Sequence, residues 1–238
     1  MQLIGLLGGM SWESTAEYYR IANELVRDRC GGLHSARCLT YSVDFAPVER
    51  LQAEGRWDEA GAALARAGRA LEAAGADFLV LCTNTMHIVA DAVAGAVDIP
   101  LLHIADTTAS AVTAAGVRRV GLLGTAFTMS QPFYADRLAA SGLEVLLPTA
   151  EDQGIVHRII YDELCLGVIR EESREEYRRV IRSLAAAGAE GIIYGCTEIE
   201  LLVGPMDSPV PVFPTTRLHV EAAVNRALAG APRRPDLP

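Results

Sequence analysis

The chain has 238 residues, 50% of them hydrophobic and 21% charged, with 21 Lys plus Arg against 30 Asp plus Glu for a formal net charge of −9. This is the composition of a soluble globular chain long enough to bury one large or two small cores, and an acidic balance without a basic run disfavours nucleic acid and anionic membranes, which demand clustered positive charge. Every cationic side chain is an arginine, because no lysine occurs; this excludes the Schiff base of pyridoxal phosphate chemistry and the phosphate-binding lysine of a P-loop.

Short β-branched or leucine-rich runs alternate with Ala-, Arg- and Glu-rich stretches, the pattern of α/β proteins with parallel sheets and crossover helices. In chain order, strands are expected at 3–7, 36–43, 78–82, 101–104, 120–123, 144–147, 191–194 and 210–213. The clearest helices between them are 58–74 and 173–187, each followed by a glycine suited to a left-handed C′ position, Gly75 and Gly188. The glycine-dense start lacks a basic flank and reads as strand and loop, not as a signal peptide. No apolar run approaches the roughly 18 residues that a membrane span needs. The charged stretch from Arg170 to Arg182 reads as a solvated helix face with i,i+4 pairs, and the tail after Gly230 as frayed.

The elements repeat. Ile4-Gly5-Leu6-Leu7-Gly8 recurs as Val120-Gly121-Leu122-Leu123-Gly124, an offset of 116, and Ala73-Ala74-Gly75-Ala76-Asp77 recurs as Ala186-Ala187-Gly188-Ala189-Glu190, an offset of 113. Two pseudosymmetric α/β domains are therefore expected: 1–100, with 214–238 packing back on it, and 101–213. Each would carry its ligand edge at the carboxyl ends of its strands, and two facing edges would form one cleft.

Polar clusters follow the third strand of each repeat: Cys82-Thr83-Asn84-Thr85-Met86-His87 and Cys196-Thr197-Glu198-Ile199. With the local offset of 113, Cys196 falls opposite Thr83, and Cys82 opposite Gly195. Strand alternation then turns Cys82 to the other face from the one Thr83 and Cys196 share, although a strand exit can break that parity and Cys82 stays an alternative. Two proton-transfer groups on opposite faces of a carbon are what racemisation or epimerisation requires. A thiolate suits this once its pKa is lowered by a helix N-terminus or nearby donors. A threonine hydroxyl needs a neighbour or a water relay, so the two enantiomers should be used unequally. Five cysteines, with no C-x-x-C pair, read as free thiols of a reducing cytoplasm. His34, His103 and His157 show no ligand spacing, so no metal is expected, while His87 and His219 could reach the cleft. Gly5, Gly8 and Gly9 do not spell a dinucleotide fingerprint.

The elements Gly8-Gly9-Met10-Ser11-Trp12-Glu13-Ser14-Thr15, Cys82 to His87, Leu123-Gly124-Thr125 and Gly195-Cys196-Thr197-Glu198-Ile199 resemble the aspartate/glutamate racemase family. The resemblance runs essentially end to end, and it is strongest to bacterial members specific for the L-substrate, in which a threonine replaces the first catalytic cysteine. It implies a cofactor-independent two-base mechanism with Cys196 and Thr83 as the acid/base pair. It also implies a substrate site lined by Met10, Gln52, Asn84, Thr85, Thr197 and Glu198, and frequent homodimers. Thr125 could add a hydroxyl from the second repeat. Asn84 and Thr85 would offer donors to a carboxylate beside a helix N-terminus, and Glu198 an acceptor for an ammonium. Two positions depart from the family pattern: Ile88, where a lysine is frequent, and Pro214, where an aspartate precedes the threonine pair. A distal substrate carboxylate would then rely on Arg50, Arg217 or backbone donors.

The primary expectation is a racemase of a small acidic amino acid. Alternatives are a racemase of another amino acid, a cysteine-dependent isomerase or decarboxylase of a dicarboxylic acid, and a non-catalytic amino-acid-binding protein.

Overall fold

The computed structural model describes Met1–Gly230, so the expectation for the tail after Gly230 lies outside the described residues. The chain divides into two compact units, Met1–His103 with the chain from His219 onward, and Ile104–Leu218. The sequence places these divisions a few residues earlier, at 100/101 and 213/214.

The first unit runs β1 (Ile4–Gly8), α1 (Trp12–Cys30), β2 (Cys38–Ser42), α2 (Phe45–Ala53), α3 (Trp57–Ala73), β3 (Phe78–Leu81), a 3₁₀ turn (Thr85–Val89), α4 (Ala90–Ala94) and β4 (Leu101–Leu102). Its four strands are parallel in the order β2-β1-β3-β4. The central strands are buried along their whole length, as expected for a parallel sheet covered on both faces. Ile4, Leu6, Phe78, Val80 and Cys82 pack on one face with Tyr18, Ile21 and Val26 of α1. Leu7, Leu79 and Leu81 pack on the other with Leu64 and Leu71 of α3.

The second unit repeats this plan through α5 (Ile104–Ala114), β5 (Arg119–Gly124), α6 (Ala126–Ser130), α7 (Pro132–Ala140), β6 (Glu144–Leu146), α8 (Ala150–Asp162), α9 (Glu171–Ala186), β7 (Gly191–Gly195), α10 (Ile199–Leu202) and β8 (Val212–Pro214). The order β6-β5-β7-β8 is again all parallel. Leu123, Ile192 and Tyr194 face α8 and α9, while Val120, Leu122 and Ile193 face α5 and α7. The last helix, α11 (Thr215–Ala229), starts within this unit and continues into the first, where Val220, Val224 and Ala227 join the α1 face of the sheet.

The repeat reaches single hydrogen bonds. The α3 end closes through Gly75 N–H to Glu72 O and Ala76 N–H to Leu71 O, and the α9 end through Gly188 N–H to Ala185 O and Ala189 N–H to Leu184 O. Gly75 (φ +106°) and Gly188 (φ +99°) adopt the left-handed backbone that this closure needs. The acid that follows each turn then holds the start of the neighbouring strand: Asp77 accepts from Leu3 N–H at 2.6 Å, and Glu190 from Arg118 and Arg119 N–H at 2.8 and 3.1 Å. These bonds hold the Glu190 carboxyl below the usual range.

Three expectations change in detail. Strand 101–104 shrinks to Leu101–Leu102, because this edge strand pairs at two positions only and Ile104 already opens α5, its carbonyl capped by the Thr107 and Thr108 hydroxyls at 2.9 and 2.8 Å. Strand 210–213 shifts to Val212–Pro214, with the proline tolerated at a sheet edge. On α9 the ion pairs are mostly i,i+3, and Arg178 and Arg179 also reach across to Asp207 and Asp152.

Replacing Gly75 or Gly188 with Ala is expected to destabilise its unit by about 1–3 kcal/mol, the cost of a side chain in left-handed backbone. Urea unfolding checks this; unchanged midpoints for both variants would contradict the turn account.

Candidate active site

In the first unit, β1 and β3 are adjacent and their carboxyl ends carry the predicted residues. At the β1 exit, Gly8 lies so close to Thr15 that a Cβ would overlap its side chain. Gly9 (φ +92°) donates its N–H to Thr15 Oγ1 at 2.8 Å, and that hydroxyl donates to Ser11 O at 2.9 Å. Ser11 caps α1 by accepting from Ser14 N–H, and Ser14 Oγ donates to Cys82 O at 3.3 Å, tying the two strand exits together. Met10 is buried among the α3-side apolar residues. Gln52 on α2 is buried and directs Nε2 at the Met86 sulfur at 2.8 Å.

The β3 exit holds Thr83, Asn84 and Thr85, each 5 to 9% exposed. Thr83 N–H donates to Leu81 O. His87 Nδ1 lies 2.7 Å from Thr83 O; a carbonyl only accepts, so this nitrogen carries the proton. Cys82 lies apart from them, fully buried on the α1 face with Sγ turned to Val80 O at 3.7 Å. Burial pushes its thiol well above the ordinary range. His219 is likewise interior. Its Nε2 donates to Leu102 O at 2.8 Å and its Nδ1 accepts the Tyr18 hydroxyl at 2.9 Å, and burial lowers its pKa to about 4, leaving a neutral ring.

In the second unit, the corresponding exits are those of β5 and β7. Gly124 pairs with Gly195; a Cβ on Gly124 would press against Gly195 O and one on Gly195 against Leu123 O, and both against Thr128. Thr125 caps α6, its Oγ1 accepting from Thr128 N–H at 3.3 Å and lying 3.2 Å from the Thr128 hydroxyl. Cys196 packs against the α8–α9 core, and its Sγ donates to Glu198 Oε2 at 3.0 Å. Burial first, and then the Glu198 carboxylate, push the Cys196 thiol well up from its ordinary value. This reverses the expectation of a helix-lowered pKa. The helix that follows, α10, has four residues and offers little dipole, while the nearest strong charge is negative.

The threonine pair after Pro214, to which the sequence assigns no role of its own, lies at the β8 exit. Thr216 Oγ1 donates to Thr197 Oγ1 at 3.2 Å, and Thr215 Oγ1 to Tyr194 O at 2.8 Å, just ahead of Cys196. Their position directly after an edge strand is the signal in the sequence that they serve the exit. Arg50 and Arg217 are exposed, and the Ile88 side chain packs against the α3-side core.

The register places Thr83 and Cys196 alike. Ile4 pairs with Phe78 and Val120 with Gly191, so each residue lies five positions beyond its strand's first pair, with the same parity relative to its sheet. Among the described residues, no group of three or more His, Cys, Asp or Glu could hold a metal ion, and no helix is long and apolar enough to cross a membrane.

The profile of the Asp/Glu/Hydantoin racemase family matches residues 7–223. The chain is similar to the crystal structure of a candidate Asp/Glu racemase from Yersinia pestis, with 54% identity, TM-score 0.92, and 96% of this chain and 100% of that one covered. It is also similar to an aspartate racemase homologue from Pyrococcus horikoshii, with 34% identity, TM-score 0.83, and 94% and 98% covered. The broad specificity amino-acid racemase RacX of Bacillus subtilis is 23% identical over 95% of this chain and 99% of its own length. The chain belongs to the Asp/Glu/hydantoin racemase family, and with it to the isomerases.

Proposed function

We propose that this protein is a cofactor-independent racemase of a small acidic amino acid, in which Cys196 and Thr83 exchange protons with opposite faces of the substrate α-carbon. The observation that carries the reading is their equivalence: each follows the central third strand of its sheet, five positions beyond the first pair, in two units with the same strand order. The reading requires the two exits to serve one substrate. The absence of any lysine supports a route without a Schiff base. Five free cysteines suit a cytoplasmic setting, and a homodimer belongs to the same reading through the family resemblance.

Cys196 rests as a thiol hydrogen-bonded to Glu198. A substrate ammonium that pairs with Glu198 would neutralise the charge raising the thiol and take over its acceptor. Binding then activates the base: Cys196 releases its proton to solvent, the thiolate takes the α-proton and becomes a thiol again, and a carbanion stabilised through the substrate carboxylate is left, so that the proton given to solvent balances the one Thr83 later regains from it. Main-chain N–H groups, with the Asn84 and Thr85 side chains, are suited to hold that carboxylate. Thr83 O–H delivers a proton to the opposite face and is reprotonated from solvent through a relay, since a free threonine alkoxide is too costly to persist. The equilibrium constant between enantiomers is one, so kcat/KM must match in both directions. The inequality of the two bases therefore shows in kcat and KM separately. Aspartate and glutamate are the first substrates to test, although Ile88 supplies no cation for a distal carboxylate and broader use of amino acids fits the same site.

Two outcomes are expected. In deuterated water the α-proton signal of at least one of L- and D-aspartate and L- and D-glutamate disappears with the unaltered protein, and Cys196→Ala slows this by about a hundredfold or more; proton NMR reads both. Equal rates for the two proteins would remove Cys196 from the chemistry. Glu198→Gln takes away a negative charge that raises the Cys196 thiol, so the thiolate forms more readily and the pH midpoint of Cys196 alkylation, followed by peptide mass spectrometry, moves to lower pH. A midpoint that stays or rises would contradict the electrostatic account.

A further inference from the structure

His87 takes no part in the proton transfers above, yet its ring is fixed on several sides. It is 3% exposed, with Nδ1 donating to Thr83 O at 2.7 Å and its main-chain N–H donating to Asn84 O at 3.0 Å. The ring meets His103 at a centroid distance of 4.5 Å and 65°, and His219 at 5.8 Å and 63°. His219 is itself immobilised between the Tyr18 hydroxyl and the Leu102 carbonyl. Four residues far apart in sequence thus build a rigid platform for one hydrogen bond to the carbonyl of Thr83.

That bond reaches further than Thr83. The Thr83–Asn84 peptide is trans, and a trans peptide carries its C=O and its following N–H on opposite sides of one plane. Holding the Thr83 carbonyl against His87 therefore aims the Asn84 N–H away from the histidine cluster. We infer that His87 is a positioning residue for substrate: by pinning the Thr83 carbonyl inward it turns the Asn84 main-chain N–H toward the substrate α-carboxylate and fixes the Thr83 backbone for proton delivery. This rests on the racemase reading above and adds to it the group that orients the carboxylate.

The test compares His87→Asn, His87→Gln and His87→Leu with the unaltered enzyme on both enantiomers of aspartate and glutamate. The asparagine Nδ2 sits one bond from Cγ, as the histidine Nδ1 does, so His87→Asn keeps the donor; glutamine moves it one carbon further out, and leucine removes it. Loss of an oriented hydrogen bond to a charged group should raise KM about tenfold or more in His87→Leu and His87→Gln, with kcat falling less, while His87→Asn recovers KM to within about threefold. A ring proton on Nδ1 in a ¹⁵N–¹H correlation of the resting protein is expected alongside, and near-UV circular dichroism shows that the variants are folded. The proposal is overturned if His87→Gln matches the unaltered enzyme, if His87→Asn is as impaired as His87→Leu, or if Nδ1 carries no proton. Failure of the unaltered enzyme to turn over any of the four amino acids overturns the reading as a racemase of a small acidic amino acid, and this proposal with it. Unimpaired racemisation by Thr83→Ala removes Thr83 from the chemistry and leaves the KM effect at His87 standing, so the two failures are told apart.

Discussion

The register of two adjacent central strands in each unit fixes everything downstream of it. β1 against β3, and β5 against β7, pair in parallel with every paired residue buried, and a slip of one residue would turn each strand's apolar set from one core to the other. The strand exits depend on that register because they have no room to vary. Gly8 is closed in by Thr15, and Gly124 by Gly195 and Thr128. The acid-to-backbone bonds of Asp77 and Glu190 lock the opposite ends of the same strands. Thr83 and Cys196 are thus set in equivalent positions by the sheets themselves.

The two exits differ in their electrostatics. Around Thr83 the polar groups interlock: a carbonyl held by the His87 imidazole, amides and hydroxyls, and a His219 ring that burial keeps uncharged. Around Cys196 a carboxylate accepts the thiol hydrogen and raises its pKa. In the proposed reaction a thiol held this way stays protonated until the substrate ammonium arrives, which would couple activation of the base to binding. The two exits are thus electrostatically unlike although the folds are repeated, and the difference traces to two positions where the repeat breaks: Thr83 against Cys196, and Thr85 against Glu198.

Much of this was legible in the sequence because parallel strands buried on both faces leave continuous apolar runs, and all eight expected strands are present, shifted by a residue or two. The α3 and α9 ends were legible through Gly75 and Gly188, where only one backbone geometry serves. The offset between repeats even separated Cys82 from Thr83, because period-two alternation survives to the end of β3. What stayed hidden depends on residues distant in the chain. The sign of the Cys196 shift needs Glu198 folded back onto the sulfur. The platform beneath Thr83 joins Tyr18, His87, His103 and His219, whose spacing has no local period. The Thr216–Thr197 bond links separate strand exits, and the brevity of β4 reflects edge pairing that composition does not record.

The proposed reaction needs two bases of unequal kind on opposite faces of one carbon, and the most direct measurement of it is α-proton exchange with retention of configuration. In Thr83→Ala the Cys196 thiol is intact, so one enantiomer should exchange its α-proton for deuterium and remain that enantiomer, while the other neither exchanges nor inverts. Chiral chromatography with mass spectrometry resolves these species. Deuterium entering both enantiomers at equal rates, or racemisation at the rate of the unaltered protein, would contradict the account.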